Sequence, residues 1–155
     1  LDRTDRHLLA LLQRDARLTY QELGEAVGLS APAAFQRVRK LEIAGVITGY
    51  HARLAPHLVG RGVVALLMVQ PGPRTDMKRL VGTWEAAGEV LECHRMSGEA
   101  GFLLKLRVGE LAALEAHLEA ALRAGCTAVV RVGLATLFER WTLPVAAGTT
   151  GGPGD

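Results

Sequence analysis

Gln36, Arg37, Arg39 and Lys40 stand within five consecutive residues, where the basic side chains of the first third of the chain bunch. An arginine can grip guanine O6 and N7 through paired N–H groups, a glutamine can do the same for adenine, and a lysine ordinarily neutralises a phosphate. These residue types in one short stretch point to nucleic-acid contact, with a solvated helix face as the plainer alternative. The overall charge decides little: the 155-residue chain carries a net +2 and a pI near 8.8. Its distribution says more. Residues 1–54 hold eight basic and six acidic side chains, and residues 63–143 hold nine of each, so a polyanion-binding surface is expected in the first third.

A helix must carry those residues. At about 100° per residue, Ala34, Val38 and Leu41 cluster on a core-facing side, leaving Pro32, Gln36, Arg39 and Ile43 opposite, flanked by Phe35 and Lys40. Arg37 lies about 60° from the core direction, where an ion pair with an acidic neighbour such as Glu22 or Glu25 and a phosphate contact are both open. Phe35 either completes the edge of the core, the reading favoured here, or meets a thymine methyl. Ser30 is the expected N-cap of this helix, and Pro32 is tolerated in its first turn. Before it, Thr19 and Glu22 form a capping box for a helix that Gly28 ends, and Leu1, Asp5, Leu8, Leu9 and Leu12 stripe a helix over residues 2–14 whose apolar face is broken only by Asp5. Residues 45–54 then alternate as an extended strand or wing. Helix, tight turn, helix with a basic outer face, then wing is a winged helix-turn-helix layout.

Residues 55–62, Ala-Pro-His-Leu-Val-Gly-Arg-Gly, read as a linker. The second half follows as strand (63–69), helix capped by Thr75 and ended by Gly88, a hairpin of 90–97 and 102–108, a helix striped by Leu111, Leu114, Leu118 and Leu122, and a strand over 129–138. Such a βαββαβ unit is ferredoxin-like, with both helices on one side of an antiparallel sheet. The fold class expected is therefore α+β: an N-terminal winged helix-turn-helix (1–54), the linker (55–62), a ferredoxin-like domain (63–144) and a disordered tail (145–155). Val63 to Val69 is apolar on both faces, and Leu91, Cys93, Leu103 and Leu137 are candidates to point away from the helices. That bare face is expected to seat a second copy of the chain, unless the first domain folds back over it.

Other chemistries find little support. His7, His51, His57, His94 and His117 are scattered, and Cys93 and His94, adjacent on a strand, point to opposite faces. Neither a Ser/His/Asp set nor a Gly-rich phosphate loop stands out, so no catalytic residue, metal ligand or cofactor is assigned. Two cysteines, Cys93 and Cys126, at no zinc spacing suggest reduced thiols. The longest apolar run falls far short of the roughly 20 residues of a membrane helix, and the charged opening is unlike a signal peptide, which points to a cytoplasmic protein without a membrane partner.

In this order and spacing, Leu1-Asp2, Asp5, Leu8-Leu9, Arg17-Leu18-Thr19, Glu22-Leu23, Val27-Gly28-Leu29-Ser30, Arg37-Val38, Leu41-Glu42, Gly45-Val46-Ile47, Gly49-Tyr50, Glu92-Cys93, Ser97-Gly98, Phe102 to Lys105 and Leu143-Pro144 resemble the Lrp/AsnC family of bacterial and archaeal transcription regulators, over residues 1 to about 144. The resemblance implies a double-stranded-DNA-binding domain joined to an effector-binding, oligomerising domain, dimers that assemble further to octamers, and regulation by an amino acid or related metabolite. It implies a recognition helix from Ser30 to about Ala44; Thr19, Ser30, Gln36, Arg37, Arg39, Lys40 and Arg53 make up the candidate DNA-binding set.

The resemblance also places an effector loop at Ser97, Gly98, Glu99, Ala100 and Gly101. Here the chain departs from its family, which usually has an aromatic residue and an aspartate where this sequence has Ala100 and Gly101. Either the ligand differs or there is none. Two competing readings follow: a subunit like those of sirohaem decarboxylase, which share this two-domain layout, and a ligand-independent architectural DNA-binding protein.

Overall fold

The computed structural model describes residues 1–98 and 101–145 and divides the chain into two compact units, residues 1–52 with 139 onward, and residues 53–138. In the first unit, helix α1 (Arg3–Arg14) starts at a capping box between Asp2 and Asp5, α2 (Tyr20–Val27) at the expected box between Thr19 and Glu22, and α3 (Ala31–Ile43) at Ser30. Each box satisfies backbone N–H groups that a helix start would leave unpaired. Gly28 ends α2 with φ +72°, a left-handed geometry that costs glycine little. Leu8, Leu23, Ala34 and Val38 form the core, with Leu11, Leu12, Leu18, Val27 and Ile47 packed around it.

Two expectations for this region need correction. No strand forms between Gly45 and Leu54: Ile47 joins the helical core, and the alternating residues after it have no neighbouring strand to complete a ladder, so the wing is absent as regular structure. The C-terminal segment also differs from the expected division. Residues 139–145 group with the first unit rather than closing the second, because the Gln13 side chain donates to the Leu143 carbonyl (3.0 Å) and accepts from the Leu143 N–H (2.6 Å). Apart from Val145, the expected disordered tail lies outside the described residues.

The second unit contains β1 (Val63–Gln70), α4 (Met77–Ala86), β2 (Val90–Arg95), β3 (Phe102–Val108), α5 (Ala112–Arg123) and β4 (Thr127–Val132). Its sheet runs β2-β3-β1-β4 with every pairing antiparallel, the ferredoxin-like order. Ala65, Leu67 and Val69 of β1 and Leu104, Leu106 and Val108 of β3 pack with Leu80 and Trp84 of α4 and Leu114 and Ala121 of α5. Both helices therefore cover one face.

Local details shift. Asp76, not Thr75, caps α4, because the Thr75 hydroxyl accepts from the Gly72 N–H instead. On α5, Leu114 and Ala121 are buried while Leu111 and Leu122 are about half exposed. The last strand ends at Val132, so Leu137 belongs to no strand. Residues 55–62 are not a free linker: Pro56–Val59 forms a 3-10 turn, and Arg61 pairs with Glu89 at 2.7 Å. Glu89 also takes the His117 ring at 3.0 Å.

Candidate DNA-binding surface and effector loop

Helix α3 buries Ala34, Val38 and Leu41 and thereby turns Gln36, Arg39 and Lys40 to solvent, as the phasing requires. The side chains of Gln36 and Lys40 hold no hydrogen bond or ion pair among the described residues. Arg39 is engaged: its guanidinium donates to Glu42 Oε2 at 3.0 Å, and Tyr50 donates to Glu42 Oε1 at 3.0 Å. Glu42 is held below the usual carboxylate range first by Arg39 and then by Tyr50. The Tyr50 phenol is pushed up to about 12, chiefly by burial and next by its bond to Glu42.

Arg37 forms an intradomain ion pair, with partners other than Glu22 or Glu25. It donates to Asp2 at 2.6 Å and to Asp5 at 2.8 Å. Glu22 takes the Thr19 N–H and hydroxyl on one oxygen, while Asp2 and Asp5 each accept the other's N–H on one carboxylate oxygen and Arg37 on the second. The Asp2 carboxyl is held low by the Asp5 N–H and then by Arg37. Thr19 and Ser30 use their hydroxyls as helix caps. Phe35 is exposed and is not among the side chains packed on the core, so the core-edge reading favoured from sequence is not met; its ring lies 5.1 Å from that of the equally exposed Tyr20 in an edge-on arrangement. Arg53 opens the second unit.

The sequence reading missed Asp2, Tyr20, Glu42 and Tyr50 as parts of this surface. One signal for the aspartates was available: Asp5 interrupts an otherwise apolar stripe, as a residue does when it meets a cation there.

In the second unit, the effector hairpin is closed by the Met96 N–H donating to the Gly101 carbonyl at 2.9 Å. Glu99 and Ala100 lie outside the described residues, and Ser97 and Gly98 are exposed. Gly101 has φ +42°, and a Cβ there would come within 2.6 Å of both the Val69 carbonyl oxygen and Pro71 Cδ. The close approach of two chain segments thus requires glycine at this position. Next to it, Phe102 tilts against Trp84 with ring centroids 6.2 Å apart.

The sheet face away from the helices follows from register. His94, Leu103, Met68 and Val129 form one row across the strands, and Glu92, Lys105, Leu66 and Arg131 the next. Cys93 instead pairs with Leu104 and shares the helix side, correcting its expected direction; Leu103 takes the open side as expected. Glu92 binds His94 at 3.0 Å and Lys105 at 3.1 Å, so the open face is apolar along β1, with charged side chains toward β2 and, at Arg131, on β4. Among the described residues no group of three or more His, Cys, Asp or Glu side chains could hold a metal, and no helix is long and apolar enough to cross a membrane.

With a helix-turn-helix unit and a four-stranded α+β unit in one chain, comparison with known proteins is decisive. Residues 1–42 match the AsnC-type helix-turn-helix domain and residues 63–132 the Lrp/AsnC ligand binding domain. The chain belongs to the Lrp/AsnC family. The leucine-responsive regulatory protein of Salmonella typhimurium is 36% identical over 115 residues, spanning 73% of this chain and 70% of the relative. The crystal structure of the Mycobacterium tuberculosis leucine response regulatory protein, LrpA, superposes with a TM-score of 0.80 at 33% identity, covering 93% of this chain and all of that one. A Neisseria meningitidis transcriptional regulator in complex with L-Met gives 0.85 at 30% identity, covering 94% of this chain and 97% of that one. As a Lrp/AsnC protein the chain is a DNA-binding transcription regulator with a ligand-binding domain.

Proposed function

We propose that this Lrp/AsnC regulator is a cytoplasmic homodimer that reads double-stranded DNA with the outer face of α3, Arg39 and Gln36 contacting base edges and Lys40 a phosphate. The observation that carries this reading is the pairing of faces on one helix: Ala34, Val38 and Leu41 are buried in the core while Gln36, Arg39 and Lys40 are exposed. Thr19 and Ser30 stand at helix N-termini, where unpaired N–H groups favour phosphate oxygens. Arg37 serves the fold by joining α3 to the start of α1.

Dimerisation is supported by Val64, Leu66, Met68, Leu103 and Val129 on the open sheet face, since burying each aliphatic side chain gains roughly 1.5–3 kcal/mol. Higher assemblies such as octamers would extend from that dimer. The effector is an amino acid or related metabolite held at the 97–101 hairpin, bulkier or more apolar than asparagine. Relatives named for leucine and for an L-Met complex fit that class.

The test is selection of bound duplexes from a random pool, followed by binding of variants at several salt concentrations. Arg39→Ala should lose more on the selected site than on random DNA. Lys40→Ala should weaken both alike and reduce the salt slope by about one unit. Equal losses for Arg39→Ala on both DNAs would remove the base-reading assignment.

A further inference from the structure

Phe35, Arg39 and Glu42 recur at the spacing that places them on one stripe of α3, and each end of the stripe meets a tyrosine from outside the helix. Tyr20 packs edge-on against Phe35, and Tyr50 donates to Glu42 Oε1 at 3.0 Å. Between them Arg39 donates to the other Glu42 oxygen at 3.0 Å. We propose that Glu42, fixed in place by Tyr50, is a specificity-determining positioning residue: it aims the Arg39 guanidinium along the outer face of the helix and withholds it from phosphates that carry no sequence information. The proposal rests on the reading of Arg39 as a base-contacting side chain.

The argument is one of competition. A guanidinium on a long flexible stem beside a polyanion has two uses, a phosphate contact available on every duplex and a bidentate base contact available only at the right sequence. A side chain free to rotate takes the nearer phosphate. One already bonded to a carboxylate is oriented, and the carboxylate's charge opposes phosphate oxygens that approach it. An exposed pair three residues apart on a helix is ordinarily weak, so a third group must hold the anion still. Tyr50 does this, leaving both Glu42 oxygens engaged. The exposures agree: the Arg39 side chain is 58% accessible and that of Glu42 25%, so the cation reaches outward while the anion stays back. Glu42 is held low by Arg39 and Tyr50 and so remains charged, and the Tyr50 phenol, pushed up to about 12, remains a donor at ordinary pH.

The experiment measures the affinity ratio between a selected site and random duplex, with salt slopes, for wild type, Glu42→Gln, Tyr50→Phe, Arg39→Ala and the double variant Arg39→Ala/Glu42→Gln, each checked for an intact thermal transition. Glu42→Gln is expected to lower the ratio by at least about threefold, mainly by tightening random DNA, and to steepen the random-DNA salt slope by up to about one unit as Arg39 takes up a phosphate. Tyr50→Phe should move the ratio the same way by a smaller factor, and gives the answer if Glu42→Gln does not fold. In the Arg39→Ala background Glu42→Gln should leave the ratio unchanged. If Arg39→Ala lowers the ratio but Glu42→Gln does not, or if Glu42→Gln acts equally with and without Arg39, the positioning role is overturned while base reading stands. Equal losses for Arg39→Ala on both DNAs would instead overturn base reading and this role with it.

Discussion

Arg37 on α3 donates to Asp5 in the first turn of α1 across 2.8 Å, and the same Nη1 reaches Asp2 at 2.6 Å. The two aspartates also cap α1 through each other's backbone N–H groups. Helix start and interhelix tie are therefore one structure, and the cation nearest the core side of α3 stabilises the DNA-binding unit from within.

Replacing Arg37 by Met should lower the thermal midpoint while leaving the ratio of specific to random DNA affinity unchanged. The pH dependence follows from Asp2, whose carboxyl is held below its ordinary value by the Asp5 N–H and then by Arg37. A carboxyl depressed in the folded state contributes stability above its unfolded pKa and loses it as pH falls through the folded value. The deficit of Arg37→Met relative to wild type should thus be full at neutral pH and shrink below about pH 4. Thermal melts of both proteins across pH 3–7 check this; a deficit that grows in acid would show that the pair is not the source of the stability.

Leu66 lies at the middle of the open sheet face, 40% exposed, with Lys105 and Arg131 as its cross-strand neighbours. Its alternate neighbours Ala65 and Leu67 are fully buried on the helix side. Leu66→Glu should consequently leave the second unit folded and disrupt association, as should Leu103→Glu. Light scattering at micromolar concentration is the measurement. A wild-type protein that is already monomeric there would refute the sheet-face dimer.

Gly101 and Gly98 both have positive φ, +42° and +80°, but only Gly101 is crowded: a Cβ at Gly98 meets nothing within 4 Å. Backbone strain alone would penalise alanine at both positions, by about 1–3 kcal/mol. The contacts with the Val69 carbonyl and Pro71 add to it only at Gly101. Gly101→Ala should therefore melt lower than Gly98→Ala, and equal midpoints would mean that the hairpin relaxes freely away from β1.

What could be read from sequence divides by the range of the interaction. The caps at Thr19 and Ser30 and the stop at Gly28 depend on residues at most four apart, and they stand where the pattern puts them. The core face of α3 follows from helical geometry alone. Misassignments arose where tertiary partners choose between equivalent local options. Thr75 and Asp76 could each cap α4, and the Gly72 N–H claims Thr75. Residues 48–54 alternate like a strand but have none beside them. On the binding surface, exposure of Gln36, Arg39 and Lys40 was legible, whereas the Glu42 link between Arg39 and Tyr50 was not, because it joins a helix to a segment whose path sequence periodicity does not fix.

The effector loop yields the last prediction, that this regulator binds leucine or methionine more tightly than asparagine. An amino acid carried into a protein site needs partners for its ammonium and carboxylate, and each polar group left unpaired there costs about 1–3 kcal/mol. Asparagine adds a carboxamide to that requirement; leucine and methionine add only apolar surface. At Gly101 the closeness of Val69 and Pro71 leaves no room for a side-chain acceptor, so the carboxamide lacks a partner there that the aliphatic ligands do not need. Phe102, partly exposed beside the hairpin and backed by the buried Trp84, leaves apolar surface in that neighbourhood. Calorimetric titration with leucine, methionine, phenylalanine and asparagine ranks the ligands, and thermal melts give an independent readout, since a ligand at 100 times its Kd raises stability by about 2.7 kcal/mol. Asparagine binding tighter than leucine, and weakened by substitution of Ser97, would show that the loop supplies polar partners despite glycine at position 101.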